Sequence, residues 1–134
     1  MPSRWELHWA SVEPGQSVGT EQHNVEEEPR PWLIVSDDLV QRAKLVVACP
    51  LTKQLEKDPA MDPFRMVIDP SMVAVAPGDT GMNVAGLLLG EQIRAMSVKR
   101  IRVAKGSTRI GKLKPAARAE VEARLCAVLG LDLK

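Results

Sequence analysis

Apolar and polar side chains alternate from Trp5 to Val12, the two-residue period of a strand with one face buried. Glu13-Pro14-Gly15 ends that run with turn residues, and from Gly15 to Pro31 no period is visible, which predicts a long loop. Trp32–Val35, bounded by Pro31 and Ser36-Asp37-Asp38, and Leu45–Cys49, stopped by Pro50, both read as buried strands. A helical turn over Asp38–Arg42 fits between them, and Lys53 to Pro63 reads as loop. Phe64–Ile68 predicts a strand ended by Asp69-Pro70, Met72–Ala76 its extension, and Pro77-Gly78-Asp79 a turn. Ala85–Leu89 is apolar throughout and leads into Gly90–Arg94. Arg100–Val103 and Arg109–Leu113 are short and basic and read as two strands, or as a 3-10 turn and a strand.

The last element carries a different period. Pro115 suits a first helical position, Gly130 suits a left-handed C-terminal residue, and Ala117, Val121, Leu125 and Val128 form one apolar stripe between them. Arg118–Glu122 and Glu120–Arg124 are spaced as i,i+4 ion pairs. Many short strands followed by one amphipathic helix predict a mainly β fold with some α: a small barrel or curled sheet, closed or covered by the helix. No internal repeat is visible, and 134 residues read as one domain, 1–134.

Composition narrows the classes. With 45% hydrophobic and 26% charged residues the chain reads as an ordinary soluble globular protein. No uncharged stretch reaches the roughly 18 residues of a membrane helix, and no apolar signal region follows the charge at the start, so a cytoplasmic protein without membrane attachment is expected. Cys49 and Cys126 make neither a disulfide framework nor a zinc site, and no metal or cofactor is expected. Charge is unevenly spread. Residues 1–38 carry two basic side chains against eight acidic, residues 39–89 five of each, and residues 90–134 eleven basic against four acidic. The last third therefore suggests either a surface facing a polyanion or a solvated helix face beside a basic turn.

Gly106–Lys112 has the Gly-x4-Gly-Lys spacing of a phosphate-binding loop. The next residue is Leu113, not the Ser or Thr that would bind magnesium, and Pro115 delays the helix that should begin on the lysine. It reads as a basic turn.

Five other segments are informative together: Gly19-Thr20-Glu21-Gln22, Arg30-Pro31 through Ser36-Asp37-Asp38, Pro50-Leu51-Thr52, Glu91-Gln92-Ile93-Arg94, and Gly111-Lys112-Leu113 before the helix. In order and spacing, from about Trp5 to Leu131, they resemble the MazF/PemK family of toxins. The resemblance implies a small SH3-like β-barrel with a C-terminal helix, forming a homodimer. It also implies a metal-independent, sequence-specific endoribonuclease that cuts single-stranded RNA and is blocked by a cognate antitoxin of a type II toxin–antitoxin system. Carried over residue by residue, it makes Arg30, Thr52 and Glu21 the catalytic candidates. It lines the RNA groove with Gln22, Gln92 and Arg94, and His23, Ser36 and Lys53 are added as RNA-binding candidates.

Those residue types suit the reaction. In RNA a 2′-OH can attack the neighbouring phosphate, so an enzyme must take that proton, offset the charge growing on phosphorus and protonate the departing 5′ oxygen. Arginine is a permanently charged fork for phosphate oxygens and a poor base, which gives Arg30 charge stabilisation. The Thr52 hydroxyl can donate to a phosphate oxygen, while Glu21 and His23 have side chains better suited to proton removal. A bland reading stands beside each: Arg30 paired with Glu26–Glu28, Thr52 a turn residue, His23 merely exposed. Trp5, Trp9 and Trp32 can stack on bases but at strand spacing read as core, and His8 reads as structural.

Two departures from the family pattern stand out. Glu26-Glu27-Glu28 would repel phosphates beside an RNA groove, and Trp5 stands where a glycine is expected before the first strand. Two other readings stay open. One is a non-catalytic barrel toxin that binds a protein such as DNA gyrase, against which the chain's end, Leu131-Asp132-Leu133-Lys134, lacks an aromatic signal. The other is an inactive homologue that binds a partner.

Overall fold

The computed structural model describes residues 2–11, 29–55, 59–101, 104 and 106–131. Eight strands are present among them: β1 (Glu6–Ala10), β2 (Arg30–Ile34), β3 (Leu45–Thr52), β4 (Arg65–Ile68), β5 (Val73–Ala74), β6 (Gly86–Leu89), β7 (Arg94–Ser97) and β8 (Arg109–Leu113). One helix follows, α1 (Pro115–Leu129). The strands join antiparallel in the order β4-β6-β3-β2-β1-β8-β5, with β7 also on β3. This is a mostly antiparallel half-barrel capped by a C-terminal helix, the barrel-plus-helix class that the apolar pattern predicts.

The long strand β3 organises the sheet. One of its edges pairs with β2, from Ile34↔Ala48 to Trp32↔Pro50. Its other edge takes two partners in turn: β7 at Leu45–Ala48 and β6 at Leu51–Thr52. A 3-10 turn, Gly90–Gln92, steps the chain from one partner to the other.

Strand alternation sorts the apolar residues into two clusters, because successive side chains point to opposite faces. Leu7, Leu33, Cys49, Leu51, Ile68, Leu88, Ile110 and Leu113 lie on one face, under Ala117 and Val121 of α1. Ala10, Trp32, Ile34, Val46, Ala48 and Met96 lie on the other, with Val98 and Ile101 packed against them. The chain curls over this second cluster: Ile101 bridges to Ala10, and Ser11 N–H donates to the Arg100 carbonyl at 3.1 Å. Both faces are therefore core. Trp5 and Trp32 are buried and Trp9 packs against the first cluster, so the core reading of the tryptophans holds.

Several expectations need correction. Met72–Ala76 does not extend β4: a 3-10 turn at Pro70–Met72 redirects the chain, and Val73–Ala74 pairs with β8 instead. Gly111 makes that pairing possible, since a Cβ there would sit 2.8 Å from the Ala74 carbonyl oxygen. The Lys53–Pro63 loop contains the start of a 3-10 helix, Pro59–Phe64. Gly111 and Lys112 lie inside strand β8, which rules out a phosphate loop. In α1 Ala117 and Val121 of the stripe are buried and Leu125 and Val128 half-buried, Gly130 caps the helix at φ 69°, and Arg124 pairs with Glu120 at 3.1 Å. Arg118, however, donates to the Leu113 carbonyl at 2.9 Å, and Glu122 faces Arg4 at 3.7 Å.

Trp5 adopts φ 74°, the left-handed region where a side chain is costly. Its backbone bridges two strands, N–H to the Ile34 carbonyl at 2.7 Å and carbonyl to Leu113 N–H at 2.8 Å. The family's glycine suits that conformation; here burial of the indole, with the Arg4 guanidinium 4.8 Å from its ring centroid, offsets the strain.

Candidate active site

Arg30 opens β2, exposed and paired with Ala10 of β1. Thr52 closes β3, half-buried and paired with Leu87 of β6. The β2–β3 ladder runs to Trp32↔Pro50, and continuing its count by two residues sets Arg30 against Thr52. On such a continued register the two would share the face of Trp32 and Pro50, since opposite residues of an antiparallel pair point the same way. At this end β3 pairs with β6, Thr52 against Leu87. Thr52 Oγ accepts from Gln54 N–H at 3.2 Å, which leaves the hydroxyl proton for another acceptor.

The remaining candidates spread outward. Lys53 is exposed next to Thr52, and Gln92 is exposed at the end of the 3-10 turn. Arg94 begins β7 opposite Ala48, four residues before Thr52 along β3. Ser36 lies beyond the opposite end of β2 from Arg30, where its Oγ accepts from Val47 N–H at 3.0 Å. Glu21, Gln22 and His23, with Glu26–Glu28, lie outside the described residues.

The same face carries a charged cluster that the sequence reading missed. Glu6 and His8 are buried, with His8 Nε2 2.9 Å from Glu6 Oε1. Arg109 of β8 donates to Glu6 Oε2 at 2.8 Å and lies 3.2 Å from Asp79 Oδ1. Asp79 in turn accepts from Ala76 N–H at 2.8 Å. Burial pushes the Glu6 carboxyl up, but hydrogen bonds from His8 and the Ser3 amide, with the Arg109 and His8 charges, outweigh it and hold it below its ordinary value. His8 stands opposite Trp32, one step diagonal to Arg30, so this cluster borders the candidate site. The signal was present in Glu6-Leu7-His8-Trp9, but alternation alone made the polar side the wet one.

Three of the eleven cations of the last third are held within the fold. Arg109 is tied to Glu6 and Asp79, Arg118 to a backbone carbonyl, and Arg124 to Glu120 and the Asp62 carbonyl. A cavity of about 440 Å³ lies between β4 and α1. Arg65 on its wall is held by Glu91 at 2.5 Å, and neither Arg30 nor Thr52 lines it.

No curated protein sequence matches the chain significantly. Solved structures do match it in fold. An endoribonuclease in complex with its cognate antitoxin, from a Mycobacterial species, is 20% identical over all of both chains with a TM-score of 0.63. The Mycobacterium tuberculosis toxin MazF-mt6 is 15% identical over 96% of this chain and 99% of that one, at 0.65. A MazE–MazF structure from Deinococcus radiodurans is 22% identical over 98% of each chain, at 0.64. The profile of the PemK-like, MazF-like toxins of type II toxin–antitoxin systems matches residues 3–129, and the chain belongs to that family.

Proposed function

We propose that this toxin, a single domain over residues 1–134, is an endoribonuclease that cuts single-stranded RNA by attack of a 2′-OH on the adjacent phosphate. What supports this reading is the β2–β3 ladder, which runs from Ile34↔Ala48 to Trp32↔Pro50 and beyond whose end, two residues on along each strand, lie Arg30 and Thr52. Arg30 offsets the charge growing on the phosphate oxygens, and Thr52 donates to one of them; one such donor contributes about 3 kcal/mol in comparable sites. Lys53, Gln92 and Arg94 hold the flanking strand. Glu21 is our candidate base, with Gln22 and His23 beside it on the chain and Ser36 a further RNA contact. A requirement for the 2′-OH confines the reaction to RNA.

The relatives named above as an endoribonuclease with its cognate antitoxin and as MazE–MazF support the same substrate class and an antitoxin partner for this chain. We read the toxin as a cytoplasmic homodimer. No helix among the described residues is long and apolar enough to cross a membrane.

The test is incubation with long single-stranded RNA in EDTA, with mapping of the cuts. Cleavage at a defined sequence that Arg30→Ala abolishes, at unchanged thermal stability, is expected. RNA left intact at enzyme excess contradicts the reading. Toxicity in cells that survives both Arg30→Ala and Thr52→Ala would point to a protein target instead.

A further inference from the structure

The cavity of about 440 Å³ between β4 and α1 has the size of a small-ligand site and two kinds of wall. Met66 and Met72 form an apolar side, continuous with the first cluster. Asp62, Arg65, Glu120 and Arg124 form a polar side. The arginines are fixed in place. Arg65 Nε donates to both Glu91 carboxylate oxygens, at 3.1 and 3.0 Å. Arg124 donates to Glu120 at 3.1 Å and to the Asp62 carbonyl at 2.6 Å, which sets its guanidinium beside Asp62. The Asp62 carboxylate itself has no partner among the described residues.

Two arginines against two carboxylates leave this wall without net charge, so it selects neither a polyanion nor a polycation. It offers donors and acceptors side by side, which suits a neutral ring edged with both. The cavity also adjoins the candidate active site. Leu87 and Val67 line it, and Leu87 pairs with Thr52 on one side and with Val67 on the other. The three side chains therefore form one row across β3, β6 and β4, with Thr52 one interstrand spacing, about 5 Å, from a residue of the cavity wall.

We propose that this cavity takes a guanine base of the RNA, beside the scissile phosphate, with Asp62 and Arg124 as its specificity-determining residues. The proposal rests on the ribonuclease reading and adds a base to it. Guanine alone among the four bases presents two parallel donors, N1–H and N2–H, to one carboxylate, here Asp62. Its O6 and N7 accept from a guanidinium, here Arg124, whose terminal nitrogens each keep a second N–H. Methionine thioethers pack favourably on an aromatic ring, which gives the base Met66 and Met72 as its apolar contacts. A phosphate in the same place would meet the Asp62 and Glu120 carboxylates instead.

The experiment titrates the full chain, with isotope-labelled methionine methyls, with each of the four ribonucleoside 5′-monophosphates. Methyl signals are assigned from Met66→Leu and Met72→Leu. Saturable shifts at Met66 and Met72 are expected with guanosine monophosphate, about tenfold or more tighter than with the other three. Asp62→Asn should abolish that preference at unchanged melting temperature. Absent or unselective shifts, or a preference indifferent to Asp62→Asn, overturn the proposal. Mapped cuts on long RNA supply the second readout: guanine should hold one fixed position beside the cut, and Asp62→Asn should relax that position alone. Cleavage with no fixed guanine overturns the proposal and leaves the ribonuclease reading standing. RNA left intact while the selective shifts occur supports the guanine site and removes only the ribonuclease reading.

Discussion

Replacing Arg109 with methionine tests the buried charge cluster most sharply. The substitution keeps the aliphatic stem and removes the cation between two carboxylates whose side chains are only 10% and 6% exposed, Glu6 and Asp79. Removing one partner of a buried pair costs about 3–5 kcal/mol. Here Glu6 keeps the Ser3 amide and His8, and Asp79 keeps the Ala76 amide, which sets the cost near the low end, about 3 kcal/mol. For a chain of this length that lowers the melting temperature by roughly 10 °C at pH 7. Asp79→Asn in the same background should restore part of the loss, because one stranded charge is gone.

The pH dependence has a defined sign. Glu6 binds its proton less tightly in the folded protein than at its ordinary 4.5, so its contribution is full above that pH and is lost as pH falls through the lower folded value. Arg109→Met removes part of the cause, so its deficit against the wild type should shrink in acid. Urea titrations at pH 7 and in acid measure both. A variant within about 0.5 kcal/mol of wild type at pH 7, or a deficit that grows in acid, would refute this account of the cluster.

Three further outcomes follow from the packing. Trp5→Gly relieves the φ 74° strain but empties a core position, and should destabilise by about 2–4 kcal/mol in urea unfolding. Gly111→Ala drives a methyl to 2.5 Å from Val73 Cγ1, and should cost about 1–3 kcal/mol with loss of amide protection in β5. Cys49 is fully buried, and burial together with the Glu91 charge pushes its thiol up to about 12. A thiol reagent at pH 8 should therefore label only Cys126 in the native protein and both cysteines after denaturation.

What was legible in the sequence depended on how local the signal was. The α1 stripe and its Pro115 and Gly130 ends, the buried runs of β2 and β3, and the Arg30-Pro31 and Pro50-Leu51-Thr52 motifs are all set by neighbours in the chain. Strand β7 was not legible: Arg94-Ala95-Met96-Ser97 is short and half polar, and it is a strand because β3 is long enough to take a second partner beyond the Gly90–Gln92 turn. Glu6 and His8 were not legible as a buried cluster, because their burial comes from the sheet curling over a second core and from Arg109, about a hundred residues away. The partners of the basic last third were not legible for the same reason. Three of its arginines find carboxylates or carbonyls that only the tertiary fold supplies.

The most direct measurement is a crystal structure of the toxin with a single-stranded RNA made uncleavable by a 2′-deoxy sugar at the mapped cut. The account predicts the Arg30 guanidinium and the Thr52 hydroxyl both within about 3 Å of oxygens of that same phosphate. A scissile phosphate held elsewhere, or the two side chains on different phosphates, would contradict it.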